Sequence, residues 1–146
     1  MTRPPPAARD QFRLLFPITI RWMDNDAYGH VNNVTYYSWF DTAVNSFLIA
    51  RGTLDIAASP CVGLVVETGC RYHSLISFPQ RVAVGLRVAR VGTSSVRYEL
   101  AAFRDDQAVA SAEGFLVHVY VDRATMRPAP IPNADRIAML ALRDAL

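Results

Sequence analysis

Asp24 and Asp26 stand two apart in the run Arg21-Trp22-Met23-Asp24-Asn25-Asp26-Ala27-Tyr28-Gly29-His30-Val31-Asn32-Asn33, which gathers two carboxylates, an imidazole, a glycine and three amides within thirteen residues. In an extended segment both carboxylates face one way, and in a turn they diverge. Next to the start of a helix a carboxylate is favoured in its ionised form, where it can act as a general base or as a nucleophile. The competing reading is an Asx turn, in which an Asp only accepts backbone hydrogen bonds. Gly29 frees the main chain to turn and lets a ligand come close to it. His30 could orient a substrate or share a proton with an Asp. The Asn32-Asn33 pair opens an apolar run, so the unsatisfied N–H groups of a helix start would point at the same small volume. That arrangement suits an oxyanion.

Other chemistries find little support. His30, His73 and His118 form no HxxxH or HExxH pair, and Cys61 and Cys70 form no CxxC, so neither a metal site nor a disulfide scaffold is expected. No GxSxG surrounds a serine, and neither a P-loop nor a GxGxxG is present. Carboxylate-based acyl chemistry or plain binding remains. Asp41, eight residues beyond Asn33, is a secondary acid candidate, with an exposed polar position on an amphipathic helix as the alternative. Tyr36, Tyr37, Trp39 and Phe40 read as core and interface.

The elements that would carry these residues follow from periodicity. Alternation after Pro17 in the stretch 12–21 predicts a first strand beginning near that proline or slightly earlier. Apolar residues at Val34, Tyr37, Trp39, Phe40, Val44, Phe47 and Leu48 recur at helical spacing, with Asn32 or Asn33 as cap and Gly52 as stop. Four further strands are predicted over 62–72, 80–90, 95–104 and 108–121, joined by turn-rich separators that imply antiparallel neighbours. Prolines between Arg127 and Pro132 form a linker to a short helix over 134–145, with Asn133 as cap and Ile137, Leu140 and Leu142 as its apolar side. One long helix and a run of strands make an α+β domain, with the helix on one face of an antiparallel sheet. Edges left bare by this arrangement favour self-association.

The chain has 146 residues, 51% hydrophobic and 19% charged, with a net charge of +2, which fits one folded domain. Its arginines are scattered, so nucleic acid is not an expected partner. Residues 1–10, with Pro4-Pro5-Pro6 and no apolar signal run, are expected to form a flexible tail. No stretch of ~18 apolar residues occurs, so no membrane span is expected and cytoplasm is the default compartment. The domain proper is expected over 11–132, with 133–146 as a terminal helix packed on it.

The run from Asp24 to Asn33, followed by Tyr36-Tyr37 and Phe40-Asp41, resembles the signature of hotdog-fold acyl-CoA thioesterases, in particular the 4-hydroxybenzoyl-CoA thioesterase-like branch. Weaker matches follow in order at Val65-Val66-Glu67, Tyr72, Phe78-Pro79, Val91 to Ser95, and Val121-Asp122-Arg123. The resemblance implies a long central helix wrapped by a curved five-stranded antiparallel sheet. It further implies a homodimer, or a homotetramer built from dimers, with protomers joined edge to edge and active sites at the interface. It casts Asp26 as the catalytic carboxylate and the Asn33 main-chain N–H as the group polarising a thioester carbonyl, with Gly29 and His30 in the same loop. Arg90, Gly92, Thr93, Ser94, Ser95 and Arg97 match the segment near the coenzyme A phosphates. The implied reaction is hydrolysis of an acyl-CoA, with no cofactor beyond the coenzyme A of the substrate. A hydratase or dehydratase of acyl thioesters using Asp26 and His30, and a non-catalytic acyl-CoA binding module, remain as alternatives. Acyl length, aromatic or aliphatic character, and the choice between nucleophile and base are not legible in the residues.

Overall fold

The computed structural model describes residues 2–144. In chain order its elements are β1 (Leu14–Ile18), α1 (Thr35–Ala50), β2 (Cys61–Tyr72), β3 (Val82–Val91), β4 (Ser95–Arg104), β5 (Ala112–Asp122) and α2 (Asn133–Arg143). The five strands form one antiparallel sheet in the order β1-β3-β4-β5-β2. α1 lies on one face of this curved sheet, the hotdog arrangement. The period of two explains why: Val82, Val84, Leu86 and Val88 of β3 and Val96, Tyr98, Leu100 and Ala102 of β4 all turn inward and are buried. α1 meets them with Tyr36, Trp39, Phe40, Ala43, Val44, Phe47 and Leu48, buried at alternating spacings of one and three. Each large side chain in this seam contributes roughly 1.5–3 kcal/mol by leaving water.

Boundaries moved where backbone chemistry overrode pattern. β1 ends at Ile18, just past Pro17, and it is an edge strand paired only with β3, where a missing N–H is tolerated. β4 spans the predicted residues. β5 begins at Ala112 rather than 108, because Val109 and Ala110 pair with the N-terminal segment. Neither Asn32 nor Asn33 is the cap of α1, whose N-cap is Val34 with no side-chain cap; Asn32 instead makes a turn just before the helix, its Oδ1 accepting the Val34 N–H at 3.1 Å and its carbonyl the Thr35 N–H at 3.0 Å. Gly52, at φ +71°, ends the helix.

The segment read as a flexible tail is held from Ala7 onward. Ala8 bridges Val109, the Ala110 N–H donates to the Ala7 carbonyl at 2.9 Å, and the Ala7 N–H donates to Glu113 Oε2 at 3.1 Å. Ala7 and Phe12 are buried against Ala101, Phe103 and Ala110, forming a small second core on the sheet face opposite α1. Thus the helix-free face is partly covered by the chain's own start.

α2 differs from its predicted face. Asn133 is the first helical residue and supplies no cap, Pro132 standing before it. Asp135, Met139 and Leu142 turn inward, while Ile137 is exposed. Ala145 lies outside the described residues. No helix among the described residues is long and apolar enough to cross a membrane.

Candidate active site

Asp24 is the structural half of the carboxylate pair. It is buried, and its carboxylate accepts the Arg21 N–H at 2.8 Å and the Arg21 guanidinium at 2.8 and 3.2 Å. The carboxylate beside it raises the Arg21 guanidinium above its ordinary value. Asp24 also offers its carbonyl to the Asn32 N–H at 2.9 Å. With the isolated bridge between Asn25 and Val31, this folds residues 24–32 back on themselves and carries Asp26 to the head of α1.

Asp26 is half-buried. Its N–H donates to the His30 carbonyl at 2.8 Å, and its Oδ1 accepts the Tyr28 N–H at 2.8 Å, so the Asx turn weighed as the bland alternative is present. Only one carboxylate oxygen is engaged; among the described residues Oδ2 has no hydrogen-bond donor. Gly29 closes the turn at φ +89°, where a side chain would be strained, and its N–H returns to the Asp26 carbonyl at 3.1 Å. Ser77 Oγ donates to the Gly29 carbonyl at 3.0 Å, the Phe78 N–H to Asn25 Oδ1 at 3.0 Å, and the Val31 N–H to the Ile76 carbonyl at 2.8 Å. The loop is therefore clamped from both sides. His30 contributes through its carbonyl, which fixes the Asp26 backbone.

Asn33 is exposed at the start of α1. Its carbonyl accepts the Tyr72 hydroxyl at 2.7 Å, while among the described residues its N–H has no acceptor. The same loop thus carries an N–H at the helix start and a carboxylate oxygen that are both unengaged among the described residues. Burial pushes the Tyr72 phenol well above its ordinary value and the Tyr36 phenol up to about 12, so both stay protonated donors at neutral pH. Around the loop, Trp22, Met23, Tyr28 and Val34 are largely exposed, an apolar rim beside polar groups.

Other predicted positions lie apart from this loop. Asp41 is exposed and accepts Asn45 Nδ2 at 3.3 Å, about 12 Å along α1 from Asn33 at 1.5 Å per residue. Gly92 to Ser94 form the turn between β3 and β4, and Ser95 opens β4; Gly92 stands ten residues beyond Val82, so about 33 Å along the sheet from the end that meets the Asp26 loop. Arg136 of α2 binds the Gly92 and Thr93 carbonyls at 2.8 and 3.0 Å, and the Ile131 N–H binds the Thr93 carbonyl at 2.9 Å. Arg90 is exposed opposite Arg97. Arg97 faces away from α1, its guanidinium 4.0 Å from the Phe115 ring centre and 3.9 Å from Glu99. It lines a concavity of 590 Å³, which reaches Tyr72 but none of residues 24–33.

Two groups of residues escaped the sequence reading. Tyr72 was noticed only as part of a weak match, although it holds Asn33. His118, Tyr120 and Asp135 form a buried polar group near the far end of α1. The inward phase of β5, shared by Leu116, His118 and Tyr120, was the signal that would have found the first two. Among the described residues no group of three or more His, Cys, Asp or Glu side chains is placed to hold a metal.

A model of the thioesterase-like superfamily matches residues 20–141. The PA5185 protein of Pseudomonas aeruginosa PAO1 is 54% identical, with 96% of this chain and 97% of that chain covered and a TM-score of 0.92. A thioesterase from Thermus thermophilus, solved with coenzyme A and zinc, is 30% identical, with 90% and 95% covered and a TM-score of 0.75. The BH1999 gentisyl-coenzyme A thioesterase, at 23% identity, shares the fold, with 86% and 99% covered and a TM-score of 0.76. No curated protein matches the chain. Thioester hydrolysis is accordingly its class of reaction, and the chain belongs to the thioesterase-like superfamily.

Proposed function

We propose that the protein hydrolyses acyl-CoA thioesters to a free carboxylic acid and coenzyme A, with Asp26 as the acting carboxylate and the Asn33 N–H as the donor to the carbonyl oxygen. One observation carries this reading. Among the described residues, the loop that presents Asp26 with one carboxylate oxygen unengaged also presents the Asn33 N–H without an acceptor. As a base, Asp26 takes a proton from water while the water oxygen bonds to the thioester carbon. As a nucleophile, it bonds to that carbon itself, and water later cleaves the resulting anhydride. In either case negative charge gathers on the carbonyl oxygen, where the N–H and the positive end of α1 favour it, before the C–S bond breaks and coenzyme A leaves as thiolate.

The working unit in this reading is a homodimer joined along β2. β2 is the long edge of the sheet, its outer side carries exposed Leu64, Val65 and Val66, and a bulge leaves Val66 unpaired in the middle. Antiparallel pairing of two such edges about a two-fold axis near Val66 sets Tyr72 opposite the start of β2 of the partner subunit. That pairing brings the partner's turn between β3 and β4 toward Asp26, although within one chain the two are at opposite ends. Thr93 and Ser94 would then meet the coenzyme A phosphates with N–H groups that have no acceptor among the described residues, and with their hydroxyls, while Arg90 and Arg97 add positive charge. Exposure of Trp22, Met23, Tyr28 and Val34 fits a surface covered by the second copy and by substrate.

The test is thiol release from purified protein across short, medium, long and aromatic acyl-CoAs, with acid and coenzyme A formed in equal amounts. Binding of acyl-CoA with no thiol released from any member would replace the enzyme by a binding module.

A further inference from the structure

Two consecutive peptides in the turn between β3 and β4 are gripped from one side. Arg136 of α2 brings a single guanidinium nitrogen, Nη2, to the carbonyl of Gly92 at 2.8 Å and to that of Thr93 at 3.0 Å. The N–H groups of those same two peptides belong to Thr93 and Ser94, and among the described residues neither has an acceptor. Both peptides are trans, so each N–H points opposite to its carbonyl. Holding the carbonyls therefore aims both free N–H groups to the side of the turn away from Arg136.

The remaining carbonyls of the turn are engaged inside the chain. That of Ser94 accepts the Tyr120 N–H at 2.7 Å, that of Ser95 accepts the Gly92 N–H at 2.7 Å, and that of Thr93 accepts the Ile131 N–H at 2.9 Å in addition to Arg136. The turn is tight: a Cβ at Gly92 would stand 2.9 Å from Ser95 Oγ, so the glycine lets that hydroxyl close over it. Arg136 is half-buried, and among the described residues no carboxylate stands within ion-pair distance of it, so its charge acts on the two peptides alone. A cation behind two peptide dipoles polarises them and strengthens their N–H ends as donors to an anion.

Arg136 is itself held in place. Asp135 beside it is buried, with its carboxyl hydrogen-bonded to the Tyr120 hydroxyl, and the Tyr120 carbonyl accepts the Ala129 N–H at 2.9 Å. Tyr120 thus ties α2, the proline-rich segment before it and the turn to one strand residue. We infer that Arg136 is a positioning residue for the phosphates of the substrate: it sets and polarises the Thr93 and Ser94 N–H groups from the carbonyl side, without touching the ligand, and so makes α2 a working part of the binding site. This deepens the acyl-CoA reading and rests on it for the identity of the anion.

Kinetics on one acyl group carried by two different thiols tests this. Coenzyme A brings phosphates to the turn, and N-acetylcysteamine brings none. Arg136→Met should raise KM for the acyl-CoA about tenfold, the size expected when donors to an anion lose their register, with kcat within about twofold of wild type. For the N-acetylcysteamine ester KM should stay within about twofold. Arg136→Lys, which can still bring one cationic nitrogen to both carbonyls, should recover most of the loss. A purely structural tie would move both esters together, so equal KM changes for the two, or no change for either, overturn the assignment. If Arg136→Met does not fold, Arg136→Gln, which keeps a neutral donor, should show the same split between the esters at smaller size. Calorimetric titration with free coenzyme A separates this role from the catalytic reading. In a protein that releases no thiol, about tenfold weaker binding of coenzyme A to Arg136→Met than to wild type supports the role of Arg136 while the hydrolase reading falls. Equal affinity overturns the role of Arg136 even in an active thioesterase.

Discussion

The Tyr72 phenol donates a hydrogen bond of 2.7 Å to the main-chain carbonyl of Asn33, tying the last residue of the edge strand to the head of the central helix. The edge proposed to pair with a second copy is thus tied to the residue whose N–H is proposed to polarise the substrate, through the carbonyl of that residue. Tyr36 packs edge-on against Tyr72 with ring centres 5.2 Å apart, so the phenol has little freedom to leave.

Tyr72→Phe keeps the ring and removes only this bond. Stability should fall by about 1 kcal/mol, and kcat should fall roughly tenfold because residue Asn33, held through its carbonyl, no longer keeps its N–H in register. Thermal unfolding and steady-state kinetics on one acyl-CoA check both. An unchanged kcat would separate Asn33 from the reaction.

Much of the fold was legible because the sheet alternates cleanly and α1 repeats cleanly. β4 could be read from Ser95 to Arg104 since Val96, Tyr98, Leu100 and Ala102 mark one face without interruption. The N-terminal segment was misread because its partners, Val109 and Ala110, lie about one hundred residues away, and no local pattern announces a bridge of that range. α2 was turned because Ile137 looks apolar while Asp135 finds the Tyr120 hydroxyl inside, a long-range pairing that outweighs side-chain type. In the site, residue types drew attention to the loop, but they could not assign Asp24 to the Arg21 clamp and leave Asp26 half-free. That division depends on hydrogen-bond geometry.

His118 makes stability depend on pH. Burial holds its folded value near 4 against an ordinary 6.5, so between these values the unfolded chain binds more protons and stability rises with pH. This residue should contribute about 3 kcal/mol at pH 7 that is lost progressively as pH falls from 6.5 toward 4. Denaturant titrations across that window should show a shallower slope for His118→Phe. Parallel slopes for the two proteins would mean that His118 is solvated in the folded state.

Val66→Lys places two like charges near the proposed two-fold axis, at the one unpaired residue of the β2 bulge. The mass in solution should drop to that of a single chain, and thioesterase activity should fall at least tenfold while the circular dichroism spectrum is kept. A monomer with full activity would contradict the shared site.

Asp26→Asn goes to the centre of the account. The amide oxygen can still accept the Tyr28 N–H, so the loop and the binding of acyl-CoA should survive while the base or nucleophile is lost. The measurement is single-turnover thiol release on the best substrate of the panel, beside a binding titration of the same variant. The account predicts a fall in rate of about 10²–10⁴ with affinity within a few-fold of wild type. Wild-type rates in Asp26→Asn, above all with activity lost in Asp41→Asn instead, would contradict it.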